Sequence, residues 1–157
     1  MKISVVPIGK FDLGLAEDIC LGVSEAIPNV KCAVEELSID LPRKYYNPIR
    51  RQYHSTMILY ELELRTEKLA SHKILGVTEA DIYVPGMNFV FGEARLSGRC
   101  CLISTFRLRP EFYGLPKDRS ILLGRCVKEA VHELGHTLGL QHCPSPLCVM
   151  HFSLNIY

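Results

Sequence analysis

Residues 132–152 read HELGHTLGLQHCPSPLCVMHF and gather four of the chain's six histidines and two of its seven cysteines. In a helix, side chains four apart stand on one face. His132 and His136 would therefore present two imidazoles to one point. Glu133 follows the first of them, angled off that face but within reach of a water held there. Two histidines and a carboxylate on one helical turn can hold a zinc ion and supply its general base. Zinc lowers the pKa of bound water to about 7, so hydroxide is available near neutrality. A catalytic zinc takes three protein ligands and keeps one position open for water. His142 lies six residues beyond His136, where a continuing helix would turn it away. Gly139 stands between them. Glycine enters left-handed backbone at little cost, so the helix can end there and His142 can return to the metal. Five fixed positions of HExxHxxGxxH match by chance on the order of once in millions of start sites.

The elements that must position this set can be read along the chain. KISVVP (2–7) is short, apolar and β-branched, which predicts a first strand. DLGLAEDICLGVSEAI (12–27) has helical spacing, with Asp12 as N-cap and Pro28 as the stop. VKCAVEEL (30–37) predicts a second strand, parallel to the first. Residues 38–53, with Pro42, Pro48 and clustered Arg and Tyr, read as an irregular surface segment. HSTMILYELELRTEKLA (54–70) reads as a helix buried on more than one side. A third strand is expected near 80–84. NFVFGEA and GRCCLISTFRL predict two more, joined by a turn at Ser97–Gly98. A last helix runs from about Asp118 through the HExxH residues. The sum is an α/β or α+β fold with a mixed, about five-stranded sheet and three long helices.

Composition narrows the class. The chain has 157 residues, 48% of them hydrophobic and 22% charged, as in one folded domain. A net charge of +1 supplies no field for nucleic acid or anionic membranes. No apolar run approaches the roughly 20 residues that span a bilayer. MKISVVPIGKFDLG holds only a short apolar stretch broken by Pro7, so no secretory signal is read and a cytoplasmic location is expected. Seven cysteines, an odd number, fit a reducing compartment better than a disulfide framework.

HExxHxxGxxH followed by Met150 is the metzincin signature with a candidate Met-turn. HCPSPLCVMH narrows it: a cysteine directly after the third histidine, another five residues on, then methionine two later, resembles the archaemetzincins. The N-terminal strand and GMNFVFGEARLSGRCCLISTFRL resemble that family too. The resemblance implies one compact metzincin-like catalytic domain over 1–157, with an active-site helix and a C-terminal part below the cleft. It implies zinc-dependent hydrolysis of peptides or proteins, as an endo- or aminopeptidase. It also implies a second, structural zinc held by four cysteines. Cys143 and Cys148 match the first two; the other two, a C-x-x-C further downstream, are not in this sequence. The alternative for that pair is two free thiols in a Pro-rich loop.

The expected roles are therefore His132, His136 and His142 as ligands of a catalytic Zn2+, Glu133 as general base, Gly139 as the turn and Met150 as an apolar floor. A monomer is the default expectation. Competing readings are a zinc-binding peptide-recognition or regulatory domain with little proteolysis, and a zinc hydrolase of small amides. Among weaker candidates, Tyr45, Tyr46 and Tyr53 read first as aromatic anchors of a solvated loop, and otherwise as transition-state donors. His54 and His72 read as surface or capping groups. His151 is a candidate neighbour of the metal site. GEARLSG reads as an edge strand along a cleft. Cys100 and Cys101 should face opposite sides of a sheet, as one core and one surface thiol.

Overall fold

A computed structural model describes residues 1–156. Its main sheet has five strands: β1 (Lys2–Ile8), β2 (Lys31–Val34), β5 (Lys73–Thr78), β7 (Gly92–Ala94) and β8 (Cys100–Ser104). Their order is β2-β1-β5-β8-β7. All neighbours run parallel except β7, which is antiparallel to β8 and ends the sheet. A second sheet of three short strands, β3 (Tyr46–Asn47), β4 (Gln52–His54) and β6 (Ile82–Tyr83), stands apart.

Parallel strands are covered on both faces, so they read as continuous apolar runs and their residues divide by alternation. Ile3 and Val5 of β1, Leu75 and Val77 of β5, and Cys101 and Ile103 of β8 pack on one face. Helices α1 (Leu13–Ala26) and α3 (Arg119–Thr137) cover them through Leu15, Ile19, Val23, Cys126 and Leu134. Val6, Ile8, Ile74, Cys100 and Leu102 face the other way, under Ile58, Leu59 and Leu62 of α2 (Ser55–Arg65). Each such side chain contributes roughly 1.5–3 kcal/mol by leaving water.

The predicted caps at Asp12 and His54 form, and α3 is capped in the same way by Asp118. Asp12 accepts from the Gly14 and Leu15 N–H groups, and Asp118 from that of Ile121. His54 Nδ1 accepts from Met57 N and caps α2; His72 Nδ1 accepts from Lys2 N at the surface.

Four expectations are corrected. The third main-sheet strand is 73–78, while 82–83 joins the small sheet. Residues 38–53 are not irregular throughout, since they supply β3 and β4. α2 ends at Arg65 and buries one face, leaving Met57, Tyr60 and Leu64 exposed. Cys100 and Cys101 do face opposite sides, but both are buried, because the sheet has no bare face.

Candidate metal centre

α3 carries His132 and His136 on one face, as their spacing requires. Its end is a left-handed cap. Gly139 has φ +91°. The Gly139 N–H donates to the His136 carbonyl, and the Leu140 N–H reaches back to that of Gly135. These two bonds define a Schellman ending, and the reversal brings His142 to the other two histidines. His136 Nε2 lies 3.2 Å from His132 Nε2 and 3.2 Å from His142 Nε2. One ligand atom from each residue lies within 4.8 Å of the others.

That geometry fits zinc. Bonds of 2.0–2.1 Å at tetrahedral angles place ligand nitrogens about 3.3 Å apart. The rings are also oriented for it. His132 Nδ1 lies 2.6 Å from the Val149 carbonyl and His136 Nδ1 lies 2.8 Å from the Leu140 carbonyl. A proton on each Nδ1 satisfies those carbonyls and leaves the Nε2 lone pairs converging, as metal-bound histidines require. Burial and the charges of the other two histidines lower the pKa of His132, and burial lowers that of His142. Both shifts favour the neutral, ligating form.

Glu133 is 5% exposed. Burial, and then the charges of Glu129 and Glu93, raise its pKa well above the usual carboxylate range. Burial also raises Glu129, to about 7. Glu93 sits on β7, where Thr56 Oγ1 donates to its carboxylate at 2.8 Å. These groups and the three histidines line one cavity of about 470 Å³, bordered by β7 and by residues 146–156.

Two glycines that sequence reasoning passed over make this packing possible. A Cβ on Gly92 would lie 2.5 Å from the Leu102 carbonyl oxygen and 2.9 Å from Glu133 Cγ, so β7 approaches Glu133 only as glycine. A Cβ on Gly135 would lie 2.5 Å from Met150 Sδ. Met150 is 5% exposed and packs under the helix, the place expected of an apolar floor. The sequence signal at Gly135 was a glycine inside an otherwise helical pattern, and at Gly92 a glycine within a strand run. Replacing Gly135 with alanine in a free helix would stabilise it by roughly 0.5–1 kcal/mol. Here we expect a net loss of about 1–3 kcal/mol from overpacking together with lower turnover, read by denaturant melts and initial rates. A more stable, fully active variant would contradict the packing argument.

The helix end is also tied to the β7–β8 hairpin. Lys73 Nζ donates to the Gly98 carbonyl at 2.6 Å and the Thr137 carbonyl at 2.8 Å, and Ser97 N donates to the His136 carbonyl. A cation at a helix C-terminus also complements its dipole.

The remaining candidates fall elsewhere. Tyr45 donates to Glu61, and the rings of Tyr46 and Tyr53 meet tilted by 56° with centroids 5.0 Å apart in the small sheet. None of the three lines the cavity. His151 does line it, with Nδ1 3.1 Å from the Cys143 carbonyl. Cys143 and Cys148 are half-buried in a loop closed by Cys143 N to the Met150 carbonyl and Cys148 N to that of Ser145. Among the described residues, the three histidines are the one group of three or more ligand side chains gathered closely enough for a metal. No helix among those residues is long and apolar enough to cross a membrane.

A histidine triad on a helix and its left-handed turn, with a buried glutamate and a methionine beneath, under the edge strand of a mixed sheet, defines a zinc metallopeptidase of the metzincin type. The sequence model of peptidase family M54 matches residues 21–157, and the chain belongs to that family. It is 43% identical over 162 aligned positions to an archaemetzincin of Methanocaldococcus jannaschii, covering 99% of this chain and 83% of that protein. The crystal structure of an archaemetzincin from Methanopyrus kandleri superposes with a TM-score of 0.84 at 38% identity, over 99% of this chain and 83% of the other. A zinc-dependent peptidase from Methanocorpusculum labreanum gives 0.86 at 32%, over 98% and 90%. The resemblance to archaemetzincins and the expected fold class are both borne out.

Proposed function

We propose that residues 1–157 act as one catalytic domain that cleaves extended peptides internally, with His132, His136 and His142 holding a single catalytic zinc. The observation that carries this is the convergence of three Nε2 atoms 3.2 Å from their neighbours, next to a buried carboxyl. When bound, zinc supplies Lewis acidity toward the scissile carbonyl and a water activated near neutral pH. The protein does the rest. The carbonyls of Val149 and Leu140 hold the two helix histidines in the ligating tautomer. Beside a bound divalent ion the Glu133 carboxyl would give up its proton, against the preference set by burial and by the charges of Glu129 and Glu93. Glu133 then takes a proton from the attacking water and delivers it to the leaving amine. Gly139 sets the turn that returns His142, and Met150 closes the floor beneath.

Internal cleavage is supported by β7. It ends the sheet and borders the cavity, so a peptide can pair with it by main-chain hydrogen bonds. Such pairing gives purchase to residues on both sides of the scissile bond. Cys143 and Cys148 are proposed as two ligands of a second, structural zinc. Their placement on one short loop ending at Met150 supports that reading.

Digesting a peptide library in free and N-acetylated forms, and reading new termini by mass spectrometry, tests the proposal. Equal cleavage of both forms at internal bonds is the expected result. Removal of single residues from free N-termini alone would replace it with an aminopeptidase.

A further inference from the structure

The seven cysteines include one pair that neither the metal centre nor the Cys143–Cys148 loop uses. Cys20 lies on α1 and Cys32 on β2, the strand at the opposite edge of the main sheet from β7. Their sulfurs are 3.0 Å apart. That is closer than the ~3.5–4.0 Å at which unbonded heavy atoms rest, and about 1 Å longer than a disulfide bond. Among the described residues, no other two cysteines share a hydrogen bond. The two elements are held together independently of the sulfurs. Cys20 and Val23 of α1 and Ile3 of β1 share one core cluster, with Cys32 packed against it, and β2 pairs with β1 from Lys31 to Val34.

We propose that Cys20 and Cys32 form a dithiol site for reversible oxidation by a low-molecular-weight disulfide, closing a bond that staples edge strand β2 to α1. The two thiols are unequal in a way that gives an order of events. Cys20 is 6% exposed, whereas Cys32 is partly accessible. The hydrogen bond between the two sulfurs draws the Cys32 thiol down in pKa and, with burial, pushes Cys20 up. Cys32, the more accessible of the two, is therefore the attacking sulfur. Its thiolate attacks one sulfur of glutathione disulfide, whose S–S bond breaks. One glutathione thiolate leaves and takes up the proton that Cys32 lost. Cys20, deprotonated in turn, attacks the Cys32 sulfur of the mixed disulfide and expels the second glutathione. Two protein thiols are oxidised and one glutathione disulfide is reduced to two thiols, with protons and electrons balanced. The bond closes a loop of fewer than 15 residues and removes freedom chiefly from the unfolded chain.

The test incubates the zinc-loaded protein with glutathione disulfide, quenches by alkylation and maps peptides after trypsin. Lys31 lies between the two cysteines, so they fall in separate peptides, Phe11–Lys31 and Cys32–Arg43. The expected result is a disulfide linking those two peptides, lost on adding dithiothreitol, with a reversible rise in Tm on the order of 5 °C. Cys20→Ser should instead stop at a mixed glutathione disulfide on Cys32, and Cys32→Ser should show neither product. Parent protein in which both thiols stay free, or in which Cys32 keeps glutathione without passing the bond to Cys20, would overturn the proposal. The peptide map of the parent decides this even if a serine variant folds poorly.

Discussion

Glu133→Gln is expected to keep its zinc and lose its turnover, with kcat/KM falling about 10³-fold. A positioned general base is worth roughly 10²–10⁴, and 10³ corresponds to about 4 kcal/mol of transition-state stabilisation. Zinc content should not change, because the proposed ligand atoms are the Nε2 atoms of His132, His136 and His142 and not this carboxyl. A second consequence has the opposite sign. In the metal-free protein, burial and the charges of Glu129 and Glu93 raise the folded-state pKa of Glu133 above its unfolded value. The native state then binds more protons than the unfolded one, so stability falls as pH rises above about 4.5. Glutamine carries no such charge. The metal-free variant should therefore melt higher than the metal-free parent at neutral pH. Initial rates, zinc analysis and thermal melts on the same two samples check all three statements. A variant as active as the parent would remove Glu133 from the mechanism.

The second large effect concerns His136, the middle of the three proposed ligands. His136 Nε2 is the atom 3.2 Å from both of the others. His136→Ala should reduce cleavage to background and weaken zinc by more than the 10–100-fold typical of losing an outer partner of a ligand. Binding to the folded state alone stabilises by about 2.7 kcal/mol at 100 times Kd. Zinc should accordingly raise the Tm of the parent and leave that of the variant nearly unmoved. A zinc-induced rise of equal size in both proteins would place the metal elsewhere, with Cys143 and Cys148 the first residues to examine.

The chemistry was legible because it is local. HELGHTLGLQH lies within eleven residues, and helical spacing plus one glycine turn is enough to place its side chains. The cap at Asp12 was legible for the same reason. What escaped depended on contacts distant in sequence. β5 was displaced to 80–84 because a strand buried on both faces lacks alternation. Gly76 also interrupts its apolar run, and a Cβ there would lie 2.9 Å from Leu62 Cδ2 of α2. Strands β3 and β4 are two and three residues long and exist only by pairing with one another and with β6. One of Cys100 and Cys101 read as a surface thiol because nothing local reveals that helices cover both faces of the sheet. Gly92 and Gly135 looked like ordinary glycines. Their importance comes from Glu133 and Met150, whose approach only the folded chain defines.

Three histidine Nε2 atoms are proposed to hold the metal beside Glu133. Anomalous diffraction at the zinc edge, on crystals of the zinc-loaded protein, tests this most directly. The prediction is a peak about 2.0–2.1 Å from the Nε2 atoms of His132, His136 and His142. Zinc found only at the Cys143–Cys148 loop, with the three histidines lacking any peak, would contradict the account.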